Sequence, residues 1–582
     1  MPEAWFADLP ISQKFPIYTR ANAGEVMPDP VSPLTSALGM MAAGEAGWRD
    51  AYVNAGTCDH ADFETDRLNT MGLLGGYMFL NMSLTRLFGA RFPGLTPEQV
   101  DLQYFGTMPG IPPYVAEDWH ASEAHSQRLT EFMMWTFTQT DLPELRADAQ
   151  RTQAVVAARP DFAAMSEREL LARARTLVGE YRSLFERHIG TSSASGIGIG
   201  TVAGVCEAIG RSDLLMPLIS AAGDVDSAAP SWAMWEMSRI VGRSKALTKL
   251  FADNAHDLHS ALMNSLEDDA DAKSLRVALA DFMTKYGCRG PNEWELRSLT
   301  WELRPNLVMV AIDRMRSMPD TDSPQSHTDR LKAEREKVTG EVVAMLTGND
   351  EALGQFLAGL NVALLFSTGR ERTKTNVIRI VHEQRMAIRE IGRRMVAAGH
   401  LDNIEQIFML QDGMPFSELE RFLADPQSFT EIIRERERDY LELFDFEPPF
   451  VINGVVPPLS TWPRRSNAAA VAQVKSGDVL SGIAGCPGVA TGIARVILDP
   501  GDPFALEPGD ILVAPVTDPA WTPLFVPAAA VVVDVGAQIT HAVIVSRELG
   551  IPCVVSVTDA TKKIPNGAMI TVDGTNGTVT IL

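Results

Sequence analysis

The chain has 582 residues, of which 46% are hydrophobic and 21% are charged, a composition typical of a soluble, well-packed protein. Its formal net charge of −23 argues against a surface that binds nucleic acid or another polyanion. Five scattered cysteines without metal-ligand spacing indicate reduced thiols. The N-terminus lacks a secretory signal, and no apolar run is long enough to span a membrane, so we expect a cytoplasmic protein.

Residues 1–445 are expected to form a mostly α-helical region. From about residue 40 onward, Ala, Leu, Met, Glu and Arg predominate, and apolar residues recur at spacings of three and four. Between residues 364 and 398 the charged and apolar residues separate onto two helix faces, and Gly399 follows as a C-cap. Strands do not alternate with helices here, so the sequence does not support a doubly wound sheet.

Several features of this region admit both a functional and a structural interpretation. The stretch 196–201 is glycine-rich but lacks the lysine of a phosphate-binding loop, so close helix packing is favoured. Arg289 and Glu293 lie in a loop bounded by Gly and Pro, where they could hold a substrate or pin the loop by an ion pair. Trp135 and Trp235 could line an apolar acceptor pocket, although plain helical core is favoured.

Arg370 and Lys374 are the most informative pair of the helical region. Four residues apart on a helix, they project from one face and could both reach a phosphoryl group. Arg370 could grip two oxygens, whereas Lys374 could neutralise charge or help to deprotonate an acceptor hydroxyl. The alternative is a solvated basic helix face that supports Glu371.

The sequence changes character near residue 446. Residues 446–476 contain five prolines and the basic pair Arg464 and Arg465, a composition that predicts an extended linker. From residue 477 to residue 582, short β-branched runs separated by turn residues predict a compact α/β domain. The expected fold is therefore multidomain, with a large helical region followed by an α/β domain.

One histidine, His541, stands where a buried strand turns into a helix. The apolar run 528–533 predicts the strand, Gly536 allows a tight turn, and Thr540 could cap the helix that follows. His541 would then lie at the positive end of the helix dipole, which favours a phosphoryl group. A polar helix start without chemistry is the alternative, but strand, turn, cap and helix together favour a phosphate carrier.

Residues 536–552 resemble the phosphohistidine signature of the phosphoenolpyruvate-utilising enzymes, and residues 477–582 resemble the swivelling domain of that family. The resemblance implies that His541 receives phosphate at one site and surrenders it at another. Family members with a regulatory threonine carry it two residues before the histidine, where this chain has Ile539. Control by phosphorylation of that threonine is therefore not implied.

Three patches of the helical region resemble the acceptor-binding region of rifampicin phosphotransferases. They are residues 18–35, residues 286–293 and residues 369–374. The resemblance implies that Arg370 and Lys374 assist phosphoryl transfer. Arg289 and Glu293 fall in the second patch, and Arg20, in the first, could support substrate binding or anchor the linker or the docked His541 domain.

Neither a phosphoenolpyruvate-binding barrel nor a nucleotide-binding domain is recognisable in the sequence. It contains no Walker-type loop with Lys and Ser/Thr and no strand-rich ATP-grasp pattern. We therefore expect a separate ATP-binding subunit that charges His541 with ATP and Mg²⁺. This chain itself is expected to hold no tightly bound cofactor or metal.

The acceptor is expected to be a small phenol, such as phenol or p-cresol, because the organisation resembles that of the two-subunit aryl phosphate synthases. A component of an antibiotic phosphotransferase of rifampicin type is one alternative. A non-catalytic phosphocarrier or regulatory scaffold is the other, and the presence of Arg370 and Lys374 beside an intact His541 motif argues against it.

Overall fold

The computed structural model describes residues 3–582 except 107, 109, 224–225, 227–228, 255, 414–416, 468–471, 499–505, 519–520 and 537–539. The chain forms two compact units, called unit 1 and unit 2 below. Unit 1 comprises Met1–Ala194, Trp294–Ser298 and Thr373–Ala469, and unit 2 comprises Ser195–Glu293, Leu299–Arg372 and Ala470–Leu582. Both units therefore contain helices from the region predicted as one helical domain.

Helices dominate the chain up to residue 445, as predicted. The α-helices are α1 (Ala23–Val26), α2 (Pro33–Thr35), α3 (Glu45–Ala55), α4 (Met82–Arg91), α5 (Pro97–Phe105), α6 (Glu123–Thr138), α7 (Pro143–Ala157), α8 (Glu167–Ala208), α9 (Leu215–Ile219), α10 (Ala229–Arg243), α11 (Lys245–Asp253), α12 (Leu258–Met263), α13 (Ala270–Tyr286), α14 (Pro305–Met315), α15 (Pro324–Met345), α16 (Asp350–Ala397), α17 (Glu418–Ala424), α18 (Thr430–Leu443), α19 (Thr522–Phe525), α20 (His541–Leu549) and α21 (Ala560–Lys563). A π-helix spans Ser36–Gly44. Short 3₁₀ helices span His60–Asp62, Phe162–Ala164, Ser212–Leu214, Asp320–Asp322, Ile404–Met409, Pro426–Phe429, Leu459–Thr461 and Arg465–Asn467.

The helix predicted over residues 364–398 is the C-terminal part of α16. Gly399 follows it with a φ of 77°, in the left-handed region that a C-cap glycine adopts. The stretch 196–201 is helical and lies within α8. An ideal Cβ on Gly198 would fall 2.4 Å from the backbone nitrogen of Ala363 on α16, so close helix packing is confirmed for this glycine.

The helices α8 and α16 are long and apolar enough, by length and hydropathy, to cross a membrane. Their most apolar 18-residue windows have mean hydropathies of 1.2 and 1.4. This differs from the sequence-based expectation, because such a window tolerates small polar residues that interrupt an apolar run. Core helices of soluble proteins pass the same test, and 39% and 44% of the two windows are buried within the protein, so this is weak evidence for a membrane location.

Unit 1 contains a four-stranded antiparallel sheet that the sequence analysis missed. In spatial order its strands are β2 (Met71–Leu74), β3 (Tyr77–Asn81), β1 (Ile17–Thr19) and β4 (Val451–Asn453). The hairpin of β2 and β3 turns at Gly75 and Gly76, whose φ angles of 58° and 78° suit a two-residue turn. The strands are too short to stand out against the helical periodicity around them.

The first part of the predicted linker, residues 446–467, is folded rather than extended. Strand β4 pairs with β1, and the side chains of Ile452, Leu459 and Trp462 are buried. Prolines at this density exclude a long helix but permit a short strand and 3₁₀ turns. Composition alone therefore could not separate a packed strand from a linker.

Unit 2 contains the predicted α/β domain. Its eight strands are, in spatial order, β5 (Val479–Ser481), β12 (Thr578–Ile581), β11 (Met569–Asp573), β7 (Val489–Val496), β8 (Ile511–Ala514), β9 (Ala530–Val533), β10 (Cys553–Val555) and β6 (Ile483–Cys486). Strands β7 to β10 pair in parallel, and the outer strands pair antiparallel. The central strands β8, β9 and β10 are buried along their length, which explains their continuous apolar runs.

Alternate residues of the central strands face two separate cores. Val513 and Val532 point to one core, which is closed by α21 and the strands β11 and β12. Val531 and Val533 point to the other, which contains α19 and α20 and continues into helices α10 to α14. The face of the α/β domain that carries α20 is thus packed against the helical part of unit 2.

Candidate active site

His541 is the first residue of α20, at the carboxyl edge of the parallel strands. Strand β9 ends at Val533 and leads to α20, while the neighbouring strand β8 ends at Ala514 and leads to Thr517 and α19. Ligands bind at this edge in open α/β sheets. The structure has the predicted strand and helix around His541, whereas residues 537–539, including Ile539, lie outside the described residues.

Two threonine hydroxyls hold the His541 imidazole. Thr517 Oγ1 lies 3.1 Å from Nδ1, and Thr522 Oγ1 lies 3.4 Å from Nε2. The Phe525 ring packs perpendicular to the imidazole, with 5.8 Å between the ring centroids. Because a hydroxyl can donate or accept, either tautomer of the imidazole is accommodated. Phosphorylation of one ring nitrogen would leave the other nitrogen held.

Thr540 occupies the N-cap position of α20, but its side chain does not make the predicted capping bond. Its φ and ψ of −82° and 164° are typical of an N-cap. Its Oγ1 is buried without a hydrogen-bond partner among the described residues, and an ideal Cβ on Gly536 would lie 3.3 Å from it. The hydroxyl is turned towards the strand-to-helix turn, so the prediction of a side-chain cap is wrong. The Thr540 side chain therefore leaves the first amides of α20 uncapped among the described residues, and anion binding at a helix N-terminus uses such amides.

A loop of the helical part of unit 2 contacts the segment after β8. The carboxylate of Asp518 accepts a hydrogen bond of 2.7 Å from the backbone N–H of Asn292. Beside Asn292, Arg289 Nε donates to Glu293 Oε2 over 2.8 Å, and these two residues are 2% and 1% exposed. Burial opposes the charge on Arg289, but Glu293 together with Cys288 and Glu371 outweighs it, so the pKa of Arg289 is raised. The ion pair that pins the loop is therefore present, and a substrate contact of Arg289 or Glu293 stays a prediction.

Arg370 lies on the part of α16 that belongs to unit 2. Its Nε and Nη2 atoms donate to Glu371 Oε1 over 3.2 and 3.0 Å, and 17% of its side chain is exposed. Arg370 is therefore not part of a solvated helix face. Burial lowers the pKa of Arg547 on α20, and the charge of Arg370 lowers it further. This effect links Arg370 to the last turn of α20, where Arg547 lies, and not to the His541 end of that helix.

Lys374 lies one turn further along α16, in unit 1. Its charge acts on the buried carboxylate of Glu25 on α1. The preceding residue, Thr373, places its Oγ1 3.1 Å from Nδ1 of His188 on α8. The boundary between the units falls after Arg372, so Arg370 and Lys374 belong to different units. Their joint action on a phosphoryl group stays a prediction.

Arg20 supports the backbone of unit 1. Its guanidinium donates hydrogen bonds of 2.5, 3.1 and 3.1 Å to the carbonyls of Met78, Met27 and Pro28. Burial lowers the pKa of Arg20 to about 10. With its guanidinium directed at the backbone, Arg20 supports the segment 20–28, and a contact of Arg20 with substrate stays a prediction.

An aromatic cluster in unit 1, formed by Tyr181, Phe185, His188 and Trp294, was missed by the sequence analysis. The Trp294 ring centroid lies 6.5, 5.7 and 6.1 Å from those of the other three residues. Trp294 is 7% exposed, and its indole N–H has no hydrogen-bond partner in the described part of the chain. Tyr181, Phe185 and His188 are spaced by four and three residues on α8, which predicts that they share one helix face. Their partner Trp294 is distant in sequence, so the cluster itself could not be predicted.

The missed residues around His541 carried a clearer signal. Thr517, Asp518 and Thr522 follow the buried strand β8, and polar residues after a parallel strand lie at the same sheet edge as those after its neighbour. The tryptophans considered as pocket residues lie elsewhere. Trp235 belongs to the core of unit 2, as favoured, and Trp135 is exposed on α6.

One set of candidate metal ligands occurs among the described residues. Single ligand atoms of Asp59, Asp62 and His125 in unit 1 lie within 4.8 Å of one another. Lys14 Nζ already lies 3.0 Å from Asp62, and Arg128 Nη1 lies 2.7 Å from Asp59. These cations neutralise the carboxylates, so the arrangement does not favour a metal ion.

Two known protein families match parts of the chain. Residues 187–371 match the fourth domain of rifampicin phosphotransferase, and residues 506–577 match the mobile domain of the phosphoenolpyruvate-utilising enzymes. The second range contains His541 and the two threonines that hold it, and the first ends one residue after Arg370.

Curated relatives are similar over more than half of this chain. The prodigiosin synthesizing transferase PigC of Serratia marcescens is 31% identical over 59% of this chain and 37% of its own length. Rifampicin phosphotransferase of Bacillus subtilis is 30% identical over 53% of this chain and 34% of its own length. The uncharacterized protein Rv2047c of Mycobacterium tuberculosis is 30% identical over 54% of this chain and 32% of its own length. The chain thus spans between 32% and 37% of the length of these relatives.

These findings confirm the resemblance to the phosphoenolpyruvate-utilising family and, within it, to rifampicin phosphotransferase. They support a phosphotransferase of the phosphohistidine kind, in agreement with the position of His541 at an uncapped helix N-terminus.

Proposed function

We propose that the chain is a phosphotransferase component that moves a phosphoryl group from phospho-His541 to the hydroxyl of a small aromatic acceptor. The observation that carries the proposal is the imidazole of His541, held by Thr517 and Thr522 at the uncapped N-terminus of α20. A phosphoramidate is energetic, so its transfer needs mainly positioning and charge neutralisation. The two hydroxyls position the ring, and the first amides of α20 offer donors to phosphoryl oxygens.

The charging step is proposed to use ATP and Mg²⁺ bound by a separate subunit. The one glycine-rich candidate for phosphate binding in this chain, residues 196–201, is a helical segment packed against α16. The matched relatives extend well beyond the aligned region, which leaves room for an ATP-binding component outside this sequence.

The acceptor is proposed to bind in unit 1, near Lys374. The aromatic cluster of α8 and Trp294 offers apolar surface and one indole N–H without a partner, and small-molecule sites combine these features. His188 connects the cluster to Thr373, next to Lys374. In the transfer, the acceptor oxygen bonds to phosphorus while the P–N bond breaks and leaves its electron pair on the imidazole. Arg370 and Lys374 are proposed to neutralise the charge of the moving group.

A larger, antibiotic-type acceptor is the second candidate. It is favoured by the similarity to rifampicin phosphotransferases, one of which is 31% identical over 53% of this chain. The similarity to PigC, a transferase named for prodigiosin synthesis, also fits an acceptor larger than a simple phenol.

A cytoplasmic location is proposed as well. All five cysteines are buried and free of disulfides. Five cysteines without a disulfide are typical of a protein in a reducing compartment.

The test is to label the purified chain with ATP that carries radioactive β-phosphate, in extract from the source cells, beside His541→Ala. We expect acid-labile label on the wild type alone, and its discharge by p-cresol or phenol. Discharge by rifampicin but not by phenols would select the second candidate. Label that no acceptor discharges would select a non-catalytic phosphocarrier, and absence of label in a competent extract would contradict the carrier role.

A further inference from the structure

Asp518 connects the contacts of the His541 ring to the helical part of unit 2. It lies between Thr517 and Thr522, the two threonines that hold the imidazole. Its backbone carbonyl accepts a hydrogen bond of 2.9 Å within the turn that leads to α19. Its side chain is 6% exposed, and the carboxylate accepts the 2.7 Å bond from the backbone N–H of Asn292. One residue thus joins the segment that holds the ring to a loop of the helical part.

The loop that donates this bond is held in one conformation. Asn292 has a φ of 45°, which is uncommon for a residue other than glycine. An ideal Cβ on Gly290 would lie 2.8 Å from the Cα of Thr300, so the loop packs directly against backbone. The carbonyl of Arg289 accepts a hydrogen bond of 2.8 Å from the N–H of Trp301. The N–H of Asn292 is therefore presented to the carboxylate at a fixed position.

The helix that carries His541 is anchored to the same helical part at its far end. Thr328 Oγ1 on α15 donates to the carbonyl of Glu548 over 3.3 Å, and His327 Nδ1 lies 2.5 Å from the carbonyl oxygen of Leu549. These bonds satisfy carbonyl groups of the last turn of α20, where the helix itself supplies no donor. The imidazole and the segment that contacts it are thus both held relative to the helical part of unit 2.

We propose that Asp518 is a positioning residue for His541. It acts through the adjacent Thr517: the bond to Asn292 fixes the segment that carries Thr517, and the Thr517 hydroxyl fixes the imidazole. The ring is therefore oriented while the α/β domain lies on the helical part of unit 2. This inference rests on the proposed function and deepens it, because it ties the orientation of the phosphate carrier to the docking of its domain.

An oriented ring has a chemical signature, because its two nitrogens are no longer equivalent. Thr517 Oγ1 lies 3.1 Å from Nδ1, whereas the contact of Thr522 with Nε2 is longer, at 3.4 Å. A held ring should therefore take a phosphoryl group mainly on one nitrogen, and the longer contact favours Nε2. A ring that turns over freely should take it on both. A loss of stability alone would leave this selectivity unchanged.

The experiment phosphorylates the full chain with potassium phosphoramidate, which needs neither ATP nor a partner. The P–N bond of the reagent breaks, ammonia leaves, and phosphorus bonds to a ring nitrogen of His541. Alkaline digestion followed by chromatography separates the two isomers of phosphohistidine, and His541→Ala gives the background from the other histidines. The proteins compared are the wild type, Asp518→Ala, Asp518→Asn, Thr517→Val and the double variant of Asp518→Ala with Thr517→Val.

We expect one isomer to predominate in the wild type. Asp518→Ala should raise the share of the other isomer about tenfold, as for one lost hydrogen bond. Asp518→Asn keeps an oxygen that can accept the bond from Asn292, so it should behave like the wild type. Thr517→Val should cause the same change as Asp518→Ala. The double variant should add little to it, because the two residues act in one chain of contacts.

Asp510→Ala is the matched control. Asp510 and Asp518 lie on opposite sides of β8 and are 5% and 6% exposed. Asp510 accepts a bond of 2.7 Å from Arg495 Nε within the α/β domain, so its loss should lower stability but leave the isomer ratio unchanged. The inference is overturned by an unchanged ratio in Asp518→Ala, by an equal change in Asp510→Ala, or by similar amounts of both isomers in the wild type.

A wild type that takes no phosphate on His541 would contradict the carrier role, which is part of the proposed function. The positioning role is then measured without phosphate, by ¹⁵N NMR of the full chain labelled at histidine, with His541→Ala to assign the ring signals. A tautomer ratio of His541 that differs from the wild type in Asp518→Ala but not in Asp510→Ala would uphold the inference. The same ratio in all three proteins would overturn it.

Discussion

Thr517 Oγ1 lies 3.1 Å from Nδ1 of His541, although 24 residues separate the two in the chain. The contact arises because β8 and β9 are parallel neighbours, so that the segments after both strands meet at one sheet edge. Thr522 reaches the other ring nitrogen from the same segment. The imidazole is therefore oriented by the segment that follows β8, whereas the backbone of His541 belongs to α20, the helix that follows β9.

Removal of the Thr517 hydroxyl should impair charging of His541. Thr517→Val keeps the shape of the side chain but leaves Nδ1 without its hydroxyl, and we expect about a tenfold lower rate of labelling, as for one lost hydrogen bond. The initial rate of incorporation of labelled phosphate checks this. Thr491→Val is the matched control, since Thr491 is an exposed residue of the same domain that pairs with Thr571. Equal rates for both variants would show that the hydroxyl does not orient the ring.

Lys374→Ala should separate charging from transfer. Its loss removes a positive charge from the proposed acceptor region of unit 1, while the threonines that hold the imidazole of His541 stay in place, so label should form normally. Discharge by the acceptor should fall by about 100-fold or more, the usual effect of removing a group that stabilises developing charge. Arg393→Ala is the control, because Arg393 lies on the same helix and forms an exposed pair with Glu390. If Lys374→Ala discharged as fast as Arg393→Ala, Lys374 would have no role in transfer.

The close packing of α8 on α16 should be sensitive to a single methyl group. In Gly198→Ala the new Cβ would meet the backbone of Ala363 at 2.4 Å, so we expect a loss of about 1–3 kcal/mol in the free energy of unfolding. Gly196→Ala is the control, since an ideal Cβ there has no atom within 4 Å. That change should stabilise the helix by about 0.5–1 kcal/mol. The free energy of unfolding of both variants is measured by urea denaturation. Equal values for Gly198→Ala and Gly196→Ala would contradict the close contact between α8 and α16.

Glu25 should make stability depend on pH. Its pKa is raised from 4.5 to about 8 in the folded protein, so the folded state binds more protons than the unfolded state between these values. The contribution of Glu25 is therefore fully favourable below pH 4.5 and is lost as the pH rises to about 8. The slope is at most about 1.4 kcal/mol per pH unit, and stability should not change further above pH 8 on account of this group.

The measurement is urea denaturation of the wild type and Glu25→Gln across this range. The difference in unfolding free energy between the two proteins should grow with pH in favour of the glutamine variant. A difference that stays constant with pH would mean that Glu25 titrates in the folded protein as it does in the unfolded chain.

The part of the site that could be predicted from sequence is the part encoded in one continuous segment. His541 was identified because strand, turn and helix follow one another within the signature, and α16 was identified from its amphipathic periodicity. The threonines around the imidazole were not, since their position depends on which strands are neighbours. The raised pKa of Glu25 could not be predicted either, because it results from burial by residues that are distant in sequence.

The hairpin of β2 and β3 and the strand β4 were not predicted from the sequence, for a related reason. Each is only a few residues long, and each gains its stability from pairing with β1, which is distant in sequence from β4. The local composition around the hairpin is typical of helices, and the composition around β4 is rich in proline. Local composition did not describe the pairing of these strands.

The short helix α19 contacts both the imidazole of His541 and a hydrophobic core. Its first residue, Thr522, touches the imidazole of His541, while Leu524 and Phe525 are part of the core shared with helices α10 to α14. A shift of α19 would therefore displace a contact of the imidazole and part of this shared core at the same time. The histidine ring and the packing of the α/β domain on the helical part of unit 2 are connected through one short helix.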